Sequence, residues 1–329
     1  MYAMQIIGQV LLIVLILLVW GWGSLAIFVA GPESAWLKYI LLATFVLSLP
    51  IIFYLDITSW QKTFAIMVII TLLMIWWVPL KATNDKEWAP EVARIPYGEI
   101  ENDILVLHNV RNFKYKSRDE FVEHWETRRY NLKELESLDI FLSYWKSPHI
   151  AHVVMSWGFA NGEHLAISIE TRKDKSQKYS ELRGFFKQYT LAYVAADELD
   201  LIRLRTNYRK ERVYGYRINV PDQYKRYLLE SYLRHMNKLI DKPEFYHALL
   251  QNCTTGISRH YKTFMPESSW IDWRLIANGH MDKLLYDLGL IKTDLPLEQL
   301  RKQSRVDLRM QKLGEEDFSD NLREGAVWE

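Results

Sequence analysis

The chain has 329 residues, a formal net charge of +1 and a single cysteine. The near-zero net charge gives no sign of a nucleic-acid partner, and one cysteine excludes both an intramolecular disulfide and a cysteine-cluster metal site. No phosphate-binding loop, dinucleotide fingerprint or paired CxxC is present. The sequence therefore predicts neither a metal nor another cofactor, and its length favours about two domains.

Charged residues are nearly absent from the first 80 positions, which contain only Glu33, Lys38, Asp56 and Lys62. Apolar runs fill the space between them, and tryptophans stand near the ends of these runs, as is typical of a membrane interface. A membrane span needs about 20 apolar residues. The sequence therefore predicts a membrane region at 1–82 with three transmembrane helices, at about 5–30, 36–55 and 61–80.

Two other interpretations of this region are weaker. A signal peptide has a basic N-terminal region and a shorter apolar run than the one that begins at Ile6. A buried soluble core rarely contains uncharged runs of this length. The short loops carry one charge of each sign and do not fix the orientation, but three spans place the N-terminus and the following domain on opposite sides of a bilayer.

The rest of the chain predicts an α+β domain at 99–329, after a linker at 83–98 and ending in a helical tail. Leu132–Leu142 fits a short helix, and QYKRYLLESYLRHMNKLI has its apolar residues on one helical face. The ANGE sequence is a hairpin signal. Together with β-branched and aromatic runs it indicates an antiparallel meander of about five strands, which are HIAHVVMSWGF, HLAISIETR, YTLAYVA, LDLIRLRT and RVYGYRI.

The only cysteine, Cys253, follows Asn252 in QNCTTGISRH. Asparagine is a favoured N-cap, so a helix from Cys253 to about Phe264 is expected. The first turn of a helix favours an anion and lowers the pKa of a thiol, whose thiolate is the nucleophile. The alternative is a small buried apolar residue. Asn252 and the amides after Cys253 are candidates for stabilising an oxyanion, unless Asn252 only caps the helix.

A cysteine nucleophile needs a base, most often a histidine, which a third group holds in place. His152 begins an apolar strand, and a histidine strand before a cysteine helix is the papain-like arrangement in circularly permuted order. A non-catalytic histidine at a sheet edge is the alternative. His149 is the closest competitor, whereas His247 and His260 flank the cysteine only in sequence.

Glu170 is the candidate for the third group, although the expected hairpin register counts against it. A two-residue turn in ANGE would place His152 opposite Thr171 and turn Glu170 to the other face, whereas a bulge or longer loop would reverse this. A structural ion pair with Arg172 or Arg203 is the alternative role for Glu170.

A basic cluster lies between 203 and 212 and contains Arg203, Arg205, Arg209, Lys210 and Arg212. Such a cluster is usually a solvated face. Beside a membrane it can also bind lipid phosphate.

Seven long motifs resemble one family. They are NVRNF (109–113), LSYWKSPHIAHVVMSWGF (142–159), LAISIETR (165–172), YSELRGFFKQY (179–189), DELDLIRLRTNYR (197–209), PEFYHALLQNCTT (243–255) and NGHMDKLLYDLGLI (278–291). Across residues 100–325 the chain resembles Lnb-type bacterial lipoprotein N-acyltransferases, which are similar to permuted NlpC/P60-type thiol enzymes. The N-terminal spans are not part of these motifs.

The resemblance implies a permuted papain-like domain, with an antiparallel sheet packed on helices. It implies Cys253 as nucleophile and His152 as base, and it makes Glu170, Arg172 and Asn252 motif positions without assigning their roles. Glu170 is the third candidate catalytic residue. The candidates for oxyanion stabilisation or substrate binding are Asn252, Arg172, Tyr246 and Arg205.

The reaction implied by this resemblance is a ping-pong acyl transfer. Cys253 would take an acyl chain from a phospholipid, and the α-amino group of a diacylglyceryl-cysteine lipoprotein would receive it. The domain would face the periplasm, anchored by several spans in the bacterial inner membrane. A membrane-anchored cysteine hydrolase, either a phospholipase or a peptidase or amidase, is the first alternative. A non-catalytic module that binds lipid or lipoprotein is the second.

Overall fold

The computed structural model describes residues 2–145, 147–249, 256–257 and 272–324. The chain forms two compact units, one of residues 1–82 with 179–188 and one of residues 83–178 with 189–329. The helices are α1 (Tyr2–Ala30), α2 (Ala35–Tyr54), α3 (Ser59–Trp77), α4 (Glu181–Gly184), α5 (Glu198–Arg203), α6 (Asp222–Asp241), α7 (Met281–Asp287), α8 (Leu297–Gln303), α9 (Asp307–Met310) and α10 (Phe318–Leu322). The strands are β1 (Tyr97–Glu101), β2 (Ile104–Arg111), β3 (Lys114–Tyr115), β4 (Phe121–Val122), β5 (Trp125–Asn131), β6 (Leu135–Tyr144), β7 (His152–Phe159), β8 (His164–Arg172), β9 (Thr190–Ala196) and β10 (Arg212–Arg217).

Three apolar helices, α1 to α3, make up most of the first unit, and each is long and apolar enough to cross a membrane. Trp20 of α1 stacks on Phe45 of α2 with ring centroids 5.2 Å apart and donates to the Phe45 carbonyl oxygen at 3.0 Å. A Cβ atom at Gly23 would lie 2.6 Å from Phe45 and 2.8 Å from Leu73. This glycine therefore allows the helices to approach closely, as small residues do between membrane helices.

The segment 179–188, between β8 and β9, belongs to the same unit as these helices. The Phe186 ring lies edge-on to Trp77 with centroids 6.3 Å apart. Lys187 Nζ donates to the Trp77 carbonyl oxygen at 3.0 Å and lies 5.0 Å from the Trp77 ring. A loop of the second half of the chain thus completes the end of α3.

A mixed sheet forms the centre of the second unit, with strand order β1-β2-β9-β8-β7-β6-β10 and with β5 also paired to β2. Among the described strands the pairs are antiparallel except for β2 with β9. Helix α6 covers one face of the sheet, and α5 with the tail helices α9 and α10 covers the other. The expected α+β class, three apolar helices followed by a sheet packed on helices, is confirmed.

Two predictions of secondary structure are wrong. Leu132–Leu142 is not a helix, because only Leu132–Glu134 forms a 3-10 turn and the rest belongs to β6, which lies between two neighbours and is buried on both faces. LDLIRLRT is not a strand, because Asp197 caps α5 by accepting from the Leu199 amide and the chain continues into a π-helical turn, Leu204–Tyr208. RVYGYRI does form a strand, β10, but it pairs with β6 at the sheet edge instead of extending the meander.

Candidate active site

The hairpin between β7 and β8 has a three-residue loop, Ala160–Gly162, and not the two-residue turn considered above. Gly162 has φ of 82°, a left-handed conformation that glycine adopts without strain. The Phe159 amide donates to the Glu163 carbonyl oxygen at 3.0 Å and closes the loop. A left-handed residue at the third loop position is a common way to close such a hairpin.

This loop sets the register that brings two candidate residues together. Val154 pairs with Ser168, and the same register two residues further places His152 opposite Glu170. The two side chains therefore lie on the same face of the sheet. The register that counted against Glu170 is wrong, because the loop is one residue longer than assumed.

One carboxylate oxygen of Glu170 collects three polar contacts. His152 Nε2 lies 3.0 Å from Oε1, the Ser168 hydroxyl donates to Oε1 at 2.9 Å, and Arg205 Nη2 donates to it at 3.1 Å. Ser168 lies two positions before Glu170 on β8, so both side chains point to the same face. Arg205 comes from the π-helical turn after α5, a type of irregularity that is frequent at functional sites.

A second carboxylate completes this cluster. Glu211 Oε2 accepts from the Ser143 hydroxyl at 2.5 Å and lies 3.7 Å from Arg205 Nη1. Ser143 is the β6 partner of His152. The cluster around His152 therefore spans β6, β7 and β8 and joins them to the π-helical turn.

The electrostatics of the cluster favour a neutral imidazole beside an ionised carboxylate. Burial and the nearby Arg205 guanidinium lower the pKa of His152 below its ordinary value of 6.5, against the opposite effect of Glu170. Burial by itself raises the pKa of Glu170, but His152, Arg205 and Ser168 together bring that pKa below its ordinary value. A histidine that stays neutral near neutral pH is suited to accept a proton.

The geometry also indicates which ring nitrogen of His152 is available. Nε2 approaches Glu170, but its N–H direction is not aligned with a hydrogen-bond acceptor among the described residues. A carboxylate at Nε2 favours the tautomer with the proton on that nitrogen. The lone pair then lies on Nδ1, which is the atom that can exchange a proton with a nucleophile.

The predicted nucleophile Cys253, its neighbour Asn252 and His260 lie outside the described residues. Gly256 and Ile257, which follow the cysteine, are helical. A Cβ atom at Gly256 would lie 2.6 Å from Ile169 Cδ1, and Ile257 packs on the core between the sheet and α6. This segment therefore contacts β8 beside Glu170, from the sheet face opposite to the one that carries the Glu170 side chain.

The loop before His152 is held by Asn278 and Gly279. The Ala151 amide donates to Asn278 Oδ1 at 2.8 Å, the Gly279 amide donates to the His149 carbonyl oxygen at 3.0 Å, and the Tyr144 hydroxyl donates to the Gly279 carbonyl oxygen at 2.8 Å. A Cβ atom at Gly279 would collide with this loop, 2.6 Å from the His149 carbonyl carbon. Neither residue is a candidate on sequence grounds, although an Asn-Gly pair is a turn signal.

Residues 121–279 match the family model described as the Lnb N-terminal periplasmic domain. This match supports a relation of residues 121–279 to the Lnb-type family. The matched range begins at β4 and ends at Gly279, so it contains His152, Glu170 and Cys253. No curated protein and no solved structure matches the chain. With its three apolar helices, this chain is a membrane protein with a periplasmic domain.

Arg172, a candidate substrate-binding residue from the sequence, makes its contacts away from His152. Its guanidinium donates to the Val92 carbonyl oxygen at 2.9 Å, the Ala93 carbonyl oxygen at 2.7 Å and Asn84 Oδ1 at 2.8 Å. It also lies 4.4 Å from the Trp88 ring. Burial lowers the pKa of Arg172 to about 10, so the side chain stays charged near neutral pH. These contacts attach the segment 84–93 to β8.

The structure places Tyr246, His149 and His247 apart from the His152–Glu170 pair. Tyr246 is half-buried against the core, and its amide donates to the Tyr189 carbonyl oxygen at 2.9 Å. His149 is exposed, and its Nδ1 lies 2.9 Å from His280 Nε2. His247 accepts from the Leu249 amide at 3.2 Å.

The basic cluster does not form one solvated face. Arg205 is buried against Glu170, and Arg203 donates to Glu315 at 2.7 Å. Arg212 is exposed at the start of β10. The five residues therefore have different surroundings, and Arg205 alone makes a polar contact with Glu170 among those described.

Proposed function

We propose that this chain is an apolipoprotein N-acyltransferase, a multi-pass protein of the bacterial inner membrane that acts in lipoprotein maturation. The observation that carries the proposal is the half-buried His152–Glu170 pair, which Arg205 contacts, within the range matched by the Lnb-type family model, and this range contains the only cysteine. A neutral histidine held by a carboxylate is the partner that a cysteine nucleophile requires.

In the first half-reaction, Cys253 attacks an ester carbonyl carbon of a phospholipid. His152 Nδ1 takes the thiol proton, a C–S bond forms, and the carbonyl oxygen becomes an oxyanion. The amides after Cys253, with Asn252, stabilise that charge. When the C–O bond breaks, His152 returns the proton to the glycerol oxygen, and a lysophospholipid leaves.

In the second half-reaction, the α-amino group of a diacylglyceryl-cysteine lipoprotein attacks the thioester carbon. The C–N bond forms, the C–S bond breaks, and His152 takes the proton that the amine loses. The products are an N-acylated lipoprotein and free enzyme. Exclusion of water from the thioester favours this transfer over hydrolysis.

The neighbours of His152 act by positioning it. Glu170 fixes the ring orientation, and Arg205 keeps the carboxylate ionised and the pKa of His152 low. His152 is the first residue of β7, so its ring lies at the end of the strand. Arg172 attaches the end of β8 to the segment 84–93, and Tyr246 supports the strand end at Thr190, next to the bridge between Thr190 and Phe245.

Mass spectrometry of the purified full chain tests the proposal. After incubation with phospholipid alone, the peptide that contains Cys253 is expected to gain one acyl group, and a diacylated lipopeptide is expected to remove it and become N-acylated. The Cys253→Ala variant is the control and gains no acyl group. Fatty acid release that is unaffected by the lipopeptide would show a hydrolase instead. Full function of Cys253→Ala in cells would indicate a non-catalytic binding module.

A further inference from the structure

A cavity of about 180 Å³ opens at the β6–β10 edge of the sheet. Its lining is Tyr144, Pro148, Tyr214, Gly279, His280, the cation Arg212, and Asp282, which is paired with Arg301. We propose that this cavity binds the phosphodiester of a glycerophospholipid, with Arg212 as the anion-binding residue and an apolar rim for the lipid chains. The proposal rests on the proposed function, because it assigns a headgroup site for the acyl donor.

Arg212 is the available cation of this cavity. It is exposed, its guanidinium carbon lies 5.9 Å from the centre of the Tyr144 ring, and it makes no ion pair with the described part of the chain. Arg301, in contrast, is held by Asp282, to which Nε donates at 2.5 Å and Nη2 at 3.0 Å. A guanidinium presents donors in a planar fork that fits two phosphate oxygens. Arg212 can therefore bind a phosphate without first losing an acidic partner.

The cavity lies close to His152 along the sheet. Arg212 pairs with Tyr144 across β10 and β6, and the next residue of β6, Ser143, pairs with His152 across β6 and β7. Two strand spacings separate Arg212 from His152, which is about 10 Å. The phosphodiester of a phospholipid is joined to its ester groups by the glycerol. A phosphate at Arg212 therefore directs an ester towards the strand end that carries His152.

The cavity lies on the same face of the sheet as Ile257, a described residue that follows Cys253. Tyr144 belongs to the core on the α6 side of the sheet, and Tyr214 and Ile257 pack against that core. Ile257 follows Cys253 by four positions. The cavity and Ile257 are thus on one side of the sheet. A single phospholipid must contact both the cavity and the nucleophile, and this arrangement is compatible with that.

Exposed apolar side chains border the cavity and indicate an amphipathic ligand. Trp273 is 57% exposed and Ile150 is 43% exposed. The Trp273 ring lies 5.0 Å from His280, and the Ile150 amide nitrogen lies beside Gly279. Free phosphate makes no use of apolar neighbours, whereas a lipid buries its chains against them. The combination of cation and apolar rim therefore favours a phospholipid over a free anion.

Equilibrium binding to the full chain in detergent tests this site. The probes are dihexanoyl-phosphatidylglycerol, inorganic phosphate and dihexanoylglycerol, and the Cys253→Ala background prevents turnover. Arg212→Gln is expected to weaken phospholipid binding about ten- to hundred-fold, the loss expected for a charge-assisted contact, and to leave dihexanoylglycerol binding unchanged. Arg129→Gln is the matched control, because Arg129 is also an exposed arginine on a strand. It is expected to have no effect.

Two results would overturn the site. One is equal phospholipid affinity of the Arg212→Gln and Arg129→Gln variants, which would remove Arg212 from lipid binding. The other is an affinity for inorganic phosphate equal to that for the phospholipid, because the exposed apolar side chains would then contribute nothing to binding. Neither result affects the test of the proposed function, because acyl transfer to Cys253 is measured separately on the chain that retains its thiol.

Discussion

Two carboxylates, Glu198 and Glu170, lie on the same face of the central sheet, and arginines contact both. Glu198 has no exposed side-chain surface, and both of its oxygens are bonded: Ser156 and Arg323 donate to Oε1 at 2.5 and 2.6 Å, and Arg323 donates to Oε2 at 2.9 Å. Glu170 keeps 24% of its side-chain surface exposed. His152, Ser168 and Arg205 all contact its Oε1, and no described residue donates to its Oε2.

The difference separates a structural ion pair from a reactive one. The Glu198–Arg323 pair is closed and saturated, and Arg323 also binds Asp139, so the pair attaches the C-terminal tail to the sheet. The His152–Glu170 pair leaves His152 without an aligned hydrogen bond to any described residue. Unsaturated buried groups cost stability and are retained where chemistry needs them. Substitutions should therefore separate stability from activity at these two positions.

The largest effect on activity is expected from His152→Gln. Loss of the base should slow thioester formation on Cys253 by about 10²–10⁴-fold, the usual contribution of general base catalysis. The melting temperature should change little, because the Gln side-chain amide can donate to Glu170 Oε1 in place of His152 Nε2. Single-turnover formation of the Cys253 thioester measures the rate. His149→Gln is the control, and a larger loss in that variant would assign the base to His149.

At the Glu198–Arg323 pair we expect a loss of stability without a loss of activity. Arg323→Ala leaves the buried Glu198 carboxylate without its cation and leaves Asp139 with Arg217 alone, and it should destabilise the protein by about 3–5 kcal/mol. Once folded, the variant should form the Cys253 thioester at a normal rate. Denaturant unfolding in detergent measures the free energy. A variant that keeps full stability but loses thioester formation would contradict the comparison.

The Glu198–Arg323 pair predicts a dependence of the free energy of unfolding on pH. Burial raises the pKa of Glu198, but Arg323 outweighs burial and lowers it from an ordinary value of 4.5 to about 2. A carboxyl group with a lowered pKa stabilises the native state when the pH is above the ordinary pKa of 4.5. This stabilisation disappears as the pH falls from 4.5 towards about 2. The Arg323→Ala variant should lose this part of the acid dependence, as unfolding measured across that pH range would show.

A smaller effect is expected at the loop before His152. Gly279→Ala puts a Cβ atom against backbone atoms of residues 148–150, which cannot move without shifting the entry to β7. The expected cost is about 1–3 kcal/mol, the range for overpacking. The turnover number should fall. Gly314→Ala is the control, because a Cβ atom there meets no other atom within 4 Å. Unchanged turnover in Gly279→Ala would remove this contact from positioning His152.

The pH dependence of activity tests the electrostatics of the reactive pair. Burial and Arg205 lower the pKa of His152, so the acid limb of thioester formation should lie below pH 6.5. Arg205→Met removes a positive charge, so the pKa of His152 should rise and the acid limb should move to higher pH. Arg128→Met is the control, since Arg128 pairs with Glu126 and Asp197 instead. An acid limb that stays in place in Arg205→Met would exclude this coupling.

Local sequence signals predicted much of the fold, and they failed where burial or a capping residue decided the outcome. The helix α6 and the strands β7, β8 and β9 have clear periodicity and are where it places them. Strand β6 is buried on both faces, so it lacks the alternation by which a half-buried strand is recognised. LDLIRLRT has a strand-like composition, but the cap at Asp197 starts a helix there.

The prediction of the candidate site depended on whether the β7–β8 loop has two or three residues. His152 and Glu170 were both candidates from the sequence, but their proximity follows from the three-residue hairpin, and turn type is weakly encoded when Asn-Gly fits loops of two lengths. The contacts of Asn278 with the loop at Ala151 join residues 127 positions apart. No local pattern encodes such a contact, which exists only after the sheet and tail have packed.

The smallest effect on stability is expected where Gly256, three residues after Cys253, contacts Ile169 of β8. Gly256→Ala places a Cβ atom 2.6 Å from Ile169 Cδ1, the flexible end of a side chain. The cost should be about 1 kcal/mol, offset in part by the higher helix propensity of alanine. Ile169→Val removes the Cδ1 atom, so the double variant should recover both stability and thioester formation.

The coupling between these two substitutions decides whether the contact matters for the reaction. Residues in contact give coupling energies of about 0.5–3 kcal/mol in a double-mutant cycle, and distant residues give almost none. Ile167→Val is the matched control, since Ile167 faces the same core from the same strand, two positions away. Coupling of Gly256 to Ile169 but not to Ile167, in the rate as well as in stability, would tie the helix after Cys253 to the strand that holds Glu170. Equal coupling to both isoleucines would mean that Gly256 only fills the core.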